Sequence, residues 1–203
     1  MTQITTRDKS KKRDEIIKGA ESVFMRMGYE LASMDKIAAE AGVSKRTVYN
    51  HFGSKEYLFE VIIDELLSQR KGLETIKYDA DKTLEEQLRA FAEAEIFLID
   101  SKRRLELSRF LTITFLKDLE FQRKTVAKYP PSHYILIDWL NDAKKDGRIQ
   151  VENTIAAAQV FYALVTGAIT WPALFSDGID RKAISPVLDE IIAVFLSRYS
   201  ILH

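Results

Sequence analysis

Residues 33 to 59 read SMDKIAAEAGVSKRTVYNHFGSKEYLF, two short runs of helical periodicity that meet at Gly42-Val43-Ser44. In the first run Ile37, Ala38 and Ala41 fall at the three- and four-residue spacing of a buried stripe. Ser33 is placed to cap its N-terminus. Gly42 stands where the run must end in the left-handed conformation that glycine adopts without steric cost. The small side chain of Ala38 lets a second helix cross closely, and Val43 pins the turn into a core. Ser44 then caps the second run, whose Val48 and Phe52 face inward and leave Lys45, Arg46, Thr47, Tyr49, Asn50 and His51 outward. Cationic, hydroxyl and amide groups gathered on one short exposed helix suit a DNA groove.

The stretch resembles the DNA-binding domain of the TetR/AcrR-type transcriptional regulators. The resemblance rests on Ile37-Ala38-x-x-Ala41-Gly42-Val43-Ser44, on Thr47-Val48-Tyr49-x-His51-Phe52 and on Ser54-Lys55-Glu56-x-Leu58. It covers about the first quarter of the chain closely, and the remainder in helix pattern alone. It implies phosphate contacts from Ser33, Tyr49, His51 and Lys55, and base contacts from Lys45, Arg46 and Thr47, with Asn50 on the same outward face. It further implies a homodimer whose two recognition helices enter successive major grooves of a pseudo-palindromic double-stranded operator. A pocket for a small-molecule effector inside each body is implied as well.

With 203 residues the chain can bury a substantial core as one domain or two. Its formal net charge is zero, which at first speaks against a nucleic-acid partner, but the distribution matters more than the sum. Residues 1 to 55 carry 11 Lys and Arg against 7 Asp and Glu, a net +4, and the rest 19 against 23, a net −4. A basic head on an acidic body is what DNA binding through one end requires. Cysteine is absent and the first 17 residues lack the apolar core of a secretory signal, so the chain reads as cytoplasmic.

Taken in order, residues 1 to about 10 are polar and read as disordered, with Lys9, Lys11, Lys12 and Arg13 as either a solvated tail or a set of phosphate contacts. A first helix is expected from about 12 to 27, carrying Ile16, Ile17, Ala20, Val23, Phe24 and Met27, and ended by Gly28. After the recognition helix, Ser54 caps a helix over about 55 to 71, and a polar linker follows over 72 to 82. Thr83-Leu84-Glu85-Glu86 fits a capping box opening a helix to about residue 100. Further helices are expected over 103 to 117 and 120 to 128. Pro130-Pro131 makes a break, and helix resumes over 132 to 145. From 154 to 176 the chain has no charged residue, so it is either buried all round or in lipid. Gln159, Thr166, Gly167, Thr170 and Pro172 make it a poor membrane span, and burial against a second subunit is the reading adopted. The last helix is expected to open at Ser185-Pro186.

The expected fold is therefore all-α, without strand-like alternation and with about nine or ten helices. A three-helix, helix-turn-helix DNA-binding domain occupies 1–56, and a larger helical domain for ligand binding and dimerisation occupies 57–203. Half of a four-helix dimer interface is read on the last two long helices, from Ile155, Val165, Ile169, Leu188, Ile192 and Phe195. The aromatics Phe97, Phe110, Phe115, Tyr134, Trp139, Phe161, Tyr162 and Trp171 are either ordinary core or the walls of the pocket, with Glu95, Thr166 and His133 as its polar groups. Glu95 falls in an apolar stripe and must pair with an arginine such as Arg104 or Arg109, or face a cavity. No two of His51, His133 and His203 have a metal-ligand spacing, and there is no glycine-rich phosphate loop or nucleophile elbow. Neither a cofactor nor a metal is expected, and no enzyme. The function read here is a DNA-binding regulator, a repressor released by a largely apolar ligand. The alternatives are a ligand-independent regulator, or a helical carrier of lipophilic molecules.

Overall fold

A computed structural model describes residues 2–68, 76–129 and 133–201, with side chains from Lys9 onward. The described residues are mostly helical, joined by short turns and loops. The one extended pairing among them is an isolated antiparallel bridge between Ile149 and Ser200. They form two compact units, the first comprising Met1–Ser68 with Arg109–Asp118, the second Gln69–Ser108 with Leu119–His203. The domain boundary expected after residue 56 thus falls inside the first unit.

In the first unit α1 (Thr2–Leu31) is broken at Gly28, whose φ of 79° is not helical. The helix starts ten residues before the expected Lys12, because residues 2 to 11 contain neither proline nor glycine to stop it. Next come α2 (Met34–Glu40), α3 (Lys45–Phe52) and α4 (Lys55–Ser68). The residues beyond 68 expected to continue α4, and the first part of the linker, lie outside the described residues. Ile16, Ala20, Val23, Phe24, Ile37, Val48, Phe52, Leu58 and Ile62 are almost wholly buried and hold the four helices together. Phe24, Tyr29, Phe59 and Phe110 form a ring cluster with centroids 4.8 to 6.0 Å apart. Such pairs contribute about 0.5–1.5 kcal/mol each beyond their area.

Two contacts fix the crossing of α1 and α2. Gly19 of α1 lies so close to α2 that a Cβ built on it would stand 2.9 Å from the Cβ of Ala41 and 3.0 Å from its backbone N. On the outer side Glu40 accepts from Ser22 Oγ at 2.7 Å and from Arg26 Nη2 at 2.9 Å.

The second unit contains α5 (Leu84–Ile96), a 3-10 turn (Phe97–Ile99), the first half of α6 (Lys102–Lys117), α7 (Leu119–Lys128) and α8 (His133–Lys145). After these come α9 (Thr154–Val165), a π-helical turn (Thr166–Thr170), α10 (Trp171–Leu174) and α11 (Arg181–Tyr199). The capping box is formed: Thr83 Oγ1 accepts from Glu86 N, and Glu86 Oε2 from Thr83 N, both at 3.1 Å. The prolines expected to separate α7 from α8, and Ser132, lie outside the described residues. Leu88, Phe91, Ile96, Leu136, Trp139, Leu140, Phe161, Val165, Leu188 and Phe195 belong to one core. Buried Gln87 locks residues 79 to 83 onto it. Its Nε2 donates to Asp79 O (2.9 Å), while its Oε1 accepts from Asp79 N (2.8 Å) and Trp139 Nε1 (2.9 Å).

Two expectations change here. The uncharged run is not one regular helix, because a π turn interrupts it and shifts the face that follows. The last helix opens at Arg181 with Asp180 as its cap, accepting from Lys182 N at 2.9 Å, so Pro186 lies inside it. The cost of that proline is limited because Lys182, whose carbonyl it cannot serve, is exposed to water.

Replacing Gly19 by Ala sets a helix-propensity gain of about 1 kcal/mol against overpacking on backbone of about 1–3 kcal/mol. Since backbone cannot swing aside as a flexible side chain can, Gly19→Ala is expected to lower the urea midpoint. A midpoint equal to or above that of the parent chain would mean that the overpacking at Ala41 does not exceed the propensity gain.

Candidate nucleic-acid interface

The turn between α2 and α3 is built as its residues require. Gly42 takes φ 64°. Its N–H donates to Ala39 O at 3.2 Å and that of Val43 to Ala38 O at 3.0 Å. Those two bonds satisfy the last carbonyls of α2 and end it with an exit direction fixed by glycine. Ser44 Oγ then accepts from Thr47 N at 3.1 Å and caps α3. Val48 and Phe52 are buried beneath it. Lys45, Arg46, Tyr49 and Asn50 are exposed, and Thr47 and His51 are half-buried beside them.

The side chains of this face are not equally available. Ser33 Oγ caps α2 by accepting from Lys36 N at 3.3 Å. Thr47 Oγ1 shares a hydrogen bond with Ser44 Oγ at 2.8 Å. Lys45 Nζ is 2.7 Å from a carboxylate oxygen of Asp35, and it stands 5.9 Å from the ring centroid of Tyr49. The hydrogen bond that Lys45 donates to the Asp35 carboxylate holds its ammonium above the usual pKa. Arg46 and Asn50 have no partner among the described residues.

Lys55 departs most from its expected role. Its Nζ donates to Tyr29 O at 3.0 Å and to Ala32 O at 3.3 Å, and it lies 4.2 Å from the centroid of the Tyr29 ring. An ammonium on those carbonyls joins the first turn of α4 to the loop before α2. Tyr29 Oη donates to Glu56 Oε1 at 3.2 Å. Burial, followed by the Glu56 charge, pushes the Tyr29 hydroxyl pKa well up. Sequence reasoning missed Gly19, Asp35 and the tie of Lys55. Arg13, expected in a solvated tail or on phosphate, instead has its guanidinium 5.4 Å from the ring centroid of Phe52 and so joins α1 to α3. None of these carries a periodic signal, since each depends on which helix crosses which.

The residues offered as pocket walls are scattered. Phe110 is packed on Phe24 and Phe59 in the first unit, to which Phe115 also belongs. In the second unit Phe161 and Tyr162 lie together, 5.6 Å between centroids, and Phe161 meets Phe195 at 5.1 Å. Phe97 lies 4.0 Å under the Arg104 guanidinium. Arg104 bonds Asp100, which also holds Arg181 at 3.1 Å, so Arg104 is committed there rather than to the half-buried Glu95. Tyr134 is exposed, its ring 4.5 Å from that of His133. Trp171 is exposed and stacked on Phe175 at 5.8 Å. Thr166 opens the π turn. Trp139 also lines an open cleft of about 550 Å³ with Ile76, Tyr78, Ile135, Asp138 and Lys145.

Of the six residues offered for a dimer interface, Val165, Ile169, Leu188, Ile192 and Phe195 are at most 2 % exposed. They are corrected to core: where a helix is apolar on every side, the bulkier side chains fill the body and periodicity cannot say which face they take. Ile155 stays outward, joined by Val160 of α9, Trp171 of α10, Phe175 directly after it, and Val187 and Val194 of α11.

Residues 16–62 match the family described as bacterial regulatory proteins, tetR family, and residues 86–201 match the AefR-like transcriptional repressor C-terminal domain. A crystallised TetR family transcriptional regulator from Pseudomonas syringae pv. tomato is 30% identical, with a TM-score of 0.73 over 94% of this chain and 97% of that one. The uncharacterized HTH-type transcriptional regulator YvkB of Bacillus subtilis is 25% identical over 189 residues, 91% of this chain and 95% of its own. YfiR of the same organism, an uncharacterized regulator of the same type, is 36% identical over 85 residues, 42% of this chain and 38% of its own.

Removing the Lys55 ammonium separates two roles. Lys55→Met is expected to lower the unfolding free energy of the DNA-free protein by about 1–2 kcal/mol in a denaturant titration. Unchanged stability with weakened DNA binding would instead give that ammonium to a phosphate.

Proposed function

Because this chain belongs to the TetR family, whose members are DNA-binding transcriptional regulators, we propose that it is a cytoplasmic, homodimeric repressor of a pseudo-palindromic operator, released by a small and largely apolar ligand. The observation that carries the DNA half is the outward face of α3, with Arg46 and Asn50 uncommitted and Lys45, Thr47, Tyr49 and His51 around them. In this reading α3 enters the major groove. Arg46 and Thr47 face base edges, and Ser33, Tyr49 and His51 lie toward the backbone, where contacts position rather than specify. Repression is preferred to activation because the second unit matches a domain described for a repressor.

The homodimer is supported by the second unit's surface. Over Thr154–Leu174 the chain has no charge and is apolar and long enough to span a membrane. Its bulky inward residues are committed to the core, and Ile155, Val160 and Trp171 stand in solvent. With Val187 and Val194 of α11 they make an apolar face of the kind that monomers rarely leave uncovered. A second copy covers it symmetrically. The small side chains of Ala156, Ala163, Gly167 and Ala168, all outward, permit close helix approach.

The effector reading is supported by the π turn between α9 and α10, where the Thr170 hydroxyl is buried without a hydrogen-bond partner among the described residues. Such a molecule relieves repression by its difference in affinity for the DNA-bound and free states.

Sedimentation and DNA titration test the assembly together. The parent chain is expected to run as a dimer at micromolar concentration. Val160→Arg is expected to give a folded monomer whose affinity for operator DNA recovered from the genome falls at least about 100-fold, since the second head is no longer tethered. A Val160→Arg protein that remains dimeric would place the interface elsewhere. A thermal-shift screen of apolar small molecules, with hits assayed for DNA release, tests the effector. A ligand-independent regulator would give no hit that lowers operator affinity.

A further inference from the structure

Two cations begin the recognition helix in adjacent positions, and the structure treats them differently. Lys45 Nζ lies 2.7 Å from Asp35 Oδ1 and 3.1 Å from Asp35 Oδ2, a bridge from the first residue of α3 to the first turn of α2. Arg46, one residue on, is exposed and has no partner among the described residues. The difference follows from helix geometry: consecutive residues point about 100° apart, so only one can face α2.

Resting on the DNA-binding reading above, we infer that Asp35 is a specificity-determining residue. Its carboxylate occupies Lys45, so the pair meets DNA as a neutral unit and Arg46 is left as the cation that reads a base edge. Two effects combine. A carboxylate at the groove-facing end of α2 opposes any approach to phosphate that does not keep Lys45 beside it. Lys45, held there, adds nothing to the counterion release that drives indiscriminate binding. The pair is exposed, 59% for Lys45 and 64% for Asp35, and exposed pairs are weak. Its effect is therefore a few-fold, and it falls on the scrambled duplex, where Lys45 would otherwise turn to phosphate, because at the preferred site the pair stays together. The planar guanidinium of Arg46 can accept a guanine edge in a bidentate fashion, which a single ammonium cannot.

The full-length chain is titrated with two duplexes of equal length across a range of salt. One is selected from a random pool by the parent protein, and the other is scrambled. Asp35→Asn is expected to tighten binding to the scrambled duplex about two- to fivefold and to steepen the dependence of log affinity on log salt by about 0.9 per chain, as one released cation requires. The preference for the selected duplex should fall accordingly. Adding Lys45→Ala to Asp35→Asn is expected to restore the parent slope. Arg46→Ala should cut the preference at least about fivefold with the Asp35–Lys45 pair intact. The inference is overturned if Asp35→Asn leaves the slope and the scrambled affinity unchanged, or if its tightening survives the added Lys45→Ala. Parent protein that binds neither duplex at low salt would remove the DNA-binding reading itself, and this inference with it. Binding without a response to Asp35→Asn removes this inference alone.

Discussion

The head of this molecule depends on the distance between α1 and α2. Gly19 allows the backbone at Ala41 to come within a methyl group's width, and Ala41 is followed directly by Gly42, where α2 ends. Those adjacent positions set where the chain leaves α2, and so the direction in which α3 departs. Everything presented to a partner from α3 inherits that placement. The bond set of Ser22, Arg26 and Glu40 supports the same crossing from outside the core. Ser22 and then Arg26 hold the Glu40 carboxyl below its usual pKa, so this tie is present above the normal carboxylate range and is lost as acid protonates it.

The charge of the head is less free than its composition suggests. Several of its cations are spent on the protein itself: Lys55 on the carbonyls of Tyr29 and Ala32, Arg13 over Phe52, Arg26 on Glu40 and Lys45 on Asp35. A chain whose formal charge is zero can still present a cationic point where the neighbouring cations are internally matched and one is not. Arg46 is that residue on the recognition helix.

Local chemistry was legible in the sequence, and geometry between elements was not. The caps at Ser33, Ser44 and Thr83, the turn at Gly42 and the inward Val48 and Phe52 could be read because each depends on residues within a few positions. The roles given to Val165, Ile169, Leu188, Ile192 and Phe195 could not be settled that way. A helix apolar on all sides offers no contrast to mark its buried face, and the π turn at Thr166–Thr170 shifts the register partway along. Phe110 was grouped with the body's aromatics by position, yet it packs between Phe24 and Phe59, partners more than fifty residues earlier in the chain. The reach of Lys55 back to Tyr29 was hidden for the same reason.

The central claim is that paired copies of α3 read DNA from one face of the duplex. Hydroxyl-radical footprinting of the full chain on its selected operator tests it most directly. The expected pattern is two related protected blocks on the same side, with centres about 10–10.5 base pairs apart or a whole multiple of that spacing. A single block, or even protection without register at the same salt, would contradict it.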